Sequence, residues 1–346
     1  MLLGLHYTAW ILLAGIVSVL YIVLSIRRIG PAEVGLVLKR ISPGKLAADN
    51  AIAFQSEAGY QADLLMPGLR FKSILFYEVR KFPWVQVPAG EIGVVIAQVG
   101  APLPIGAKSA VYKNVFGNFS ELRTFVSNGG QKGVQRPVFP PGTLAPIHPV
   151  GFLVVTKSQV YGLPISPDLR ADGGRLMPEA IGLRPSQLDL LRIEPKPSGA
   201  ADGLQDVVGI VTTFEGDPLP SGDIASRLGG FEDVAKMEKA SASDGEVIEV
   251  LLGNKNILHN NYQDFQAFLD HGGRIGLQHD PLLYGAYALN PFLVSVELVS
   301  MLIVQQGQTA VIKAYVGLPT EDISGADFKF GSLVRPGHRG IWQEPL

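Results

Sequence analysis

The sequence predicts an α+β chain: one N-terminal transmembrane helix, then tandem β-rich repeats that each carry a short helix. Three observations predict it. Residues Tyr7–Ile26 are apolar or small and carry no charge. Glycine and proline are plentiful, at 40 and 25 of 346 residues, and punctuate short β-branched runs, which is the mark of many short strands and turns. One block of sequence also occurs twice. "GVVIAQVGAPLPIG" from Gly93 returns as "GIVTTFEGDPLPSG" from Gly209, and "GNFSELRTFVSNGGQKGVQ" returns as "NNYQDFQAFLDHGGRIGLQ". Gly93 and Gly100 match Gly209 and Gly216. Asn118, Phe125, Gly129, Gly130, Gly133 and Gln135 match Asn261, Phe268, Gly272, Gly273, Gly276 and Gln278. Glycines recurring in order at fixed spacing establish an internal repeat.

The N-terminal run, "YTAWILLAGIVSVLYIVLSI", has the roughly 20 residues needed to cross a ~30 Å hydrocarbon core. Trp10 and Tyr21 fall toward its ends, where amphipathic rings favour the interface. The first six residues lack Lys and Arg and the run is longer than a signal-peptide core, so residues 1–29 are expected to be an uncleaved anchor. Arg27 and Arg28 follow it and predict that the bulk of the chain is cytoplasmic, behind a single pass of the cell membrane.

Residues 30–87 form a first, degenerate repeat with a turn at Pro67-Gly68, where proline presets its own angle and glycine accepts a positive φ. Residues 88–165 form the second. In it Asn118 and Glu121 read as a capping box, Leu122, Phe125 and Val126 as one helical face, and Asn128-Gly129-Gly130 as the helix stop. Its exit turn is Pro141-Gly142. Residues 166–203 read as a connection with a short helix near Pro185–Leu191. Residues 204–304 are the third repeat; Asn261, Asp264, Phe265, Phe268, Leu269 and Gly272 restate the helix. A polar insertion, Phe231–Gly245, interrupts it and reads as one short helix. Residues 305–346 begin a fourth repeat at "GQTAVIKAYVG". Pro336-Gly337 reads there as the turn of Pro67-Gly68 and Pro141-Gly142, which makes this repeat incomplete and leaves a strand without its closing neighbour.

The 47% hydrophobic fraction supports a core, and a net charge of −2 gives no global electrostatic case for nucleic acid. The chain has no cysteine, which excludes disulfides and thiolate chemistry. The nearest approach to a phosphate loop, Gly100 to Gly106, Lys108 and Ser109, fails on spacing, and Pro102 and Pro104 remove backbone donors. His259, His271 and His279, with Asp270 and Asp280, match no standard zinc-ligand spacing, and the earlier copy has Asn128 where His271 stands. Asn118-Phe119-Ser120 has the form of a glycosylation sequon, inert on a cytoplasmic domain. No catalytic, cofactor-binding or metal residue is assigned, no cofactor is expected, and the chain does not read as an enzyme.

Across "PAGEIGVVIAQVG", "PLPIG" and "GGQKGVQRPVFPPGTLAPIHP" the sequence resembles the SPFH (band 7) family of flotillins, stomatins and prohibitins. Pro88, Gly90 and Gly93 carry the likeness, with Pro141-Gly142 and Pro146, and it is closest to a bacterial flotillin-like form with tandem copies. The resemblance implies a membrane-anchored oligomeric scaffold that organises membrane microdomains or membrane protein complexes. Its implied partners are the lipid bilayer, further copies of the chain and membrane-protein clients. Family members continue into a long coiled coil, whereas no sustained heptads occur here before Leu346. The rival reading is a stoichiometric regulator of a membrane protease or transporter.

Overall fold

The repeated glycines fall at corresponding points of two separate small sheets. The computed structural model describes residues 2–44, 46, 51–55, 57–169, 176–197, 203–320 and 333–342. The chain divides into two compact units. One comprises Met1–Gly106, Ala110–Gln135 and Phe139–Asp189; the other comprises Ala107–Ser109, Arg136–Val138 and Leu190–Leu346.

α1 (Leu2–Ser25) and β1 (Ile26–Ile29) precede the first repeat, which holds β2 (Glu33–Lys39), β3 (Ile52–Ala53), β4 (Gly59–Gln61), β5 (Gly68–Phe71) and β6 (Tyr77–Pro83). The second holds β7 (Val85–Gln86), β8 (Gly93–Ala97), α2 (Leu122–Ser127), β9 (Gly133–Phe139), β10 (Leu144–Ala145), β11 (Phe152–Val155) and β12 (Val160–Tyr161). Then follow β13 (Leu191–Ile193), β14 (Lys196–Pro197), β15 (Leu204–Gln205), β16 (Val207–Thr213), β17 (Ala225–Ser226), α3 (Glu232–Lys239), α4 (Asp244–Leu252), α5 (Phe265–Asp270), β18 (Gly276–Gln278), β19 (Gly285–Tyr287) and β20 (Val294–Ser300). The fourth repeat supplies β21 (Lys313–Ala314), β22 (Leu333–Val334) and β23 (Gly340–Trp342).

The sheets run β3-β4-β2-β6, β12-β11-β8-β9 and β17-β18-β16-β20, with β21-β23-β22 in the fourth repeat. In the first three, the central strand (β2, β8 or β16) lies between a closing strand (β6, β11 or β20) and a strand that begins Gly-x-Gln. That glutamine locks its own turn. Gln61 donates to the carbonyls of Glu57 and Gly59 at 2.9 and 3.0 Å. Gln135 donates to Gln131 and Gly133, both at 3.0 Å, and Gln278 to Arg274 and Gly276 at 2.8 and 2.9 Å. Trp342 does the same in the fourth repeat, its indole N–H donating to the His338 carbonyl at 3.0 Å. A parallel neighbour flanks each lock, through the pairs Ala53–Gln61, Ala110–Gln135, Ser226–Gln278 and Val334–Trp342. Four repeats therefore share one device.

The positive-φ glycines Gly100, Gly216 and Gly317 share a second one. A Cβ on any of them would come closer than 3.0 Å to the carbonyl oxygen of Gly130, Gly273 or Gly337 respectively. This corrects the reading of Pro336-Gly337, because Gly337 is the counterpart of Gly130 and Gly273 and not of the exit turn. The exit-turn position belongs to Gly68, Gly142 and Gly285, which meet Ile29 of β1, Val87 just after β7, and Ile193 of β13. Gly216→Ala combines a left-handed φ of 145° with a clash against fixed backbone. It is expected to cost about 1–3 kcal/mol as a lowered urea midpoint of the second unit; an unmoved midpoint would show that this crossing tolerates a side chain.

The short helix forms in the second and third repeats, but among the described residues the first and fourth have none. Nor does the Asn118 capping box form. Glu121 is the N-cap of α2 and makes no side-chain cap bond, whereas Asp264 caps α5 by accepting from the Ala267 N–H at 2.9 Å. Phe119 and Tyr262 stand in left-handed conformation just ahead of the caps, at φ 57° and 62°, so each Asn is separated from its helix by a reversal of the chain. The Phe231–Gly245 insertion opens into two helices, α3 and α4. Their Val234, Val247 and Leu251 pack with Leu318 and Trp342 of the fourth repeat. Near Pro185–Leu191 the chain makes a 3-10 turn, Pro185–Leu188.

The membrane anchor is overturned: among the described residues no helix is long and apolar enough to cross a membrane. The expectations of an anchor at 1–29 and of a single-pass, cytoplasm-facing location fall with it. The last turn is also tied to protein. The Tyr21 hydroxyl donates to Ser73 at 2.8 Å, Ser25 is buried, and its hydroxyl accepts from the Ile74 N–H at 3.3 Å. Arg27 and Arg28, taken as topological charges, lie in β1 opposite Arg70 and Leu69 of β5.

Candidate functional site

The histidines considered as zinc ligands are spent separately. His259 is buried, and its Nδ1 accepts from the Tyr262 N–H at 2.8 Å; burial holds its pKa down to about 4. The His271 Nδ1 lies 2.7 Å from the Ala267 carbonyl, and the His279 Nδ1 lies 2.9 Å from Asp280. Asp270 accepts from Gln266 on the same helix at 2.8 Å. Among the described residues no group of three or more His, Asp or Glu is placed to hold a metal ion. In the stretch resembling a phosphate loop, Lys108 lies 6.0 Å from the Phe214 ring centroid. Ser109 donates to the Glu215 carboxylate and accepts from Arg136 Nε, so its hydroxyl belongs to an ion pair. Phe119, the middle residue of the sequon, is a buried core ring.

What the first unit does contain is a cleft of about 590 Å3, within the size range of small-molecule sites. Phe82, Val85, Phe152 and Val154 form an apolar wall, and the segment Gln159–Pro164 crosses it. This crossing segment is held by side chains that sequence reasoning did not single out. Gln98 Nε2 donates to the carbonyls of Val150 and Leu163, both at 2.9 Å, and its Oε1 accepts from the Ile165 N–H at 2.9 Å. Gly162 permits the approach: at φ 111° a Cβ would lie 2.6 Å from the Phe152 carbonyl. The Tyr161 hydroxyl donates to the Gln86 carbonyl at 3.1 Å. The triplet Gly162-Leu163-Pro164 was the available signal, a glycine-proline turn directly after a strand. The lining side chains suit the burial of an aliphatic or aromatic group, and no His, Asp, Glu, Lys or Arg is among them.

Beside the cleft, His148 is fully buried and joins the two repeats of this unit. Its Nδ1 accepts from the N–H groups of Val150 and Gly151 at 3.2 and 2.9 Å. The other nitrogen must then carry the proton, which it donates to the Gln61 carbonyl at 3.0 Å. Burial lowers its pKa to about 4. In the third repeat Asn290 occupies this position, its Oδ1 accepting from the Phe292 N–H and its Nδ2 donating to the Arg136 carbonyl.

Comparison with family models, curated proteins and solved structures gives no match for this chain.

Proposed function

We propose that the chain is a non-catalytic oligomeric scaffold, of the kind its resemblance to SPFH proteins implies. It assembles with copies of itself and seats apolar segments of membrane-protein clients in the cleft beside Tyr161. The observation that carries this reading is α1. Large apolar side chains at consecutive positions, including Trp10, Ile11, Leu12 and Leu13, are exposed, as are Ile16, Val17, Val19 and Leu20. At 100° per residue that places apolar surface on every face, and contiguous exposed apolar surface marks an association site. Matching helices from further copies supply an equally apolar partner. The repeats support the same reading, since Gln61, Gln135 and Gln278 are engaged in fixing backbone. The cleft favours one further reading, a regulator that holds a single protease or transporter segment one-to-one.

Sedimentation of the full chain separates the two. A discrete oligomer is expected, reduced to monomer by Leu13→Asp with Leu20→Asp. A wild-type chain that stays monomeric yet binds a client one-to-one would select the regulator. A monomer that binds no client would sink both readings.

A further inference from the structure

The second unit holds a smaller cavity, of about 300 Å3, between Pro220–Arg227, the start of α3, Arg274 and Gly317–Pro319. Three arginines line it: Arg227, Arg274 and Arg339. Two are already engaged. Buried Arg227 donates through Nη1 to both oxygens of Asp233, at 2.7 and 2.9 Å, and through Nη2 to the Val250 carbonyl at 3.0 Å. Burial alone would raise the Asp233 carboxyl, but hydrogen bonds from Arg227 and Lys255 outweigh it and hold the pKa at about 2. Arg339 donates to the Gly317 carbonyl at 3.2 Å and to Asp223.

Arg274 differs. Its carbonyl accepts from Thr213 and Gln278, but the residue is only half-buried and, among the described residues, its guanidinium has no hydrogen bond or ion pair. The fold does not ask for an arginine at this point. The strand bridge Asp217–Arg274 repeats Ala101–Gln131 and recurs as Leu318–His338, so glutamine and histidine serve the same backbone position. Phe231, Ala235, Leu318 and Pro319 make part of the wall apolar, and Ser226, Asp223 and Glu232 line the rest. An unpaired guanidinium on a partly apolar cavity wall is stabilised by an oxyanion it can fork onto.

We propose that this cavity is an anion-binding site, in which Arg274 takes the carboxylate or phosphate of a small ligand and the apolar wall takes the body attached to it. Arg339 lines the same cavity and adds a second positive charge, partly offset by Asp223. The proposal does not depend on the scaffold reading, because it concerns the other compact unit.

Calorimetric titration of the full chain with inorganic phosphate, and separately with hexanoate, tests it against sodium chloride of equal ionic strength. One saturable site per chain is expected for at least one probe. Phosphate alone assigns a phosphoryl ligand, and hexanoate alone a carboxylate on an apolar stem. Arg274→Gln, which installs the residue type of Gln131, should weaken binding roughly ten- to a hundredfold, as for loss of charge-assisted hydrogen bonds. Its unfolding midpoint without probe should be unchanged. Saturable binding of neither probe, or equal affinity in wild type and Arg274→Gln, would overturn the site.

Discussion

Phe125→Ala is expected to lower the stability of the first unit by about 3–5 kcal/mol, and Phe268→Ala that of the second by a similar amount. Both rings are essentially inaccessible, at 0% and 1% exposure. Each is gripped from one side by a glycine, since a Cβ at Gly130 or Gly273 would press into the ring of Phe125 or Phe268. In the first unit Phe116 and Phe152 stand 4.9 and 5.0 Å from Phe125, edge to face. In the second, His259 and Tyr262 stand 5.3 and 5.4 Å from Phe268. So rigid a surround cannot collapse onto the void, which puts the cost at the upper end for a core truncation. It is also a large share of a domain's marginal stability. Urea unfolding followed by circular dichroism checks this, and either variant unfolding like wild type would show that the two helices are not equivalent core elements.

The second large effect is acid sensitivity. His148 and His259 have native pKa values near 4 because burial disfavours the charged ring, against about 6.5 in an unfolded chain. The unfolded state therefore binds the proton more readily. Each histidine contributes stability that is fully present above pH ~6.5 and is lost as pH falls toward ~4. At ~1.4 kcal/mol per pH unit the loss is of order 3 kcal/mol for His148. His148→Asn should abolish it in the first unit alone. Asn290 already fills the corresponding place in the third repeat with the same accepting and donating bonds. Thermal melts at pH 7.5 and 4.5 decide the matter. If wild type and His148→Asn show the same acid loss, the buried imidazole is not its source.

The second and third repeats were legible because their glycines answer to backbone crossings that admit no Cβ, and such positions keep their spacing. Phe125 and Phe268 were legible for the same reason. The first repeat was harder to read, because its Gly59-Tyr60-Gln61 lock follows a different loop and stands near no second glycine like Gly129-Gly130. Pro336-Gly337 misled because a Pro-Gly pair signals a reversal but not which reversal; the true third exit turn, Tyr284-Gly285, has no proline. The apolar run at Tyr7–Ile26 did mark a helix, but it could not show that the helix's last turn is bonded to Ser73 and Ile74, about fifty positions away in sequence. The cleft went unseen because Gln98, Gly162 and Phe152 converge only after three strands pair.

The exchange of Phe116, Phe119 and Phe152 for His259, Tyr262 and Val294 has a consequence for how the chain finds its native state. A polypeptide that encodes one strand order several times over can recruit a strand from the wrong copy, the characteristic misassembly of repeat proteins. If β20 closed on β8, Val294 would stand where Phe152 stands now, opposite Ala97, and the ring cage around Phe125 would lack a wall. If β11 closed on β16, Phe152 would crowd a place fitted to Val294. The two cores are alike enough to share a backbone and unlike enough to reject each other's strands, so dissimilar packing acts as proofreading during assembly.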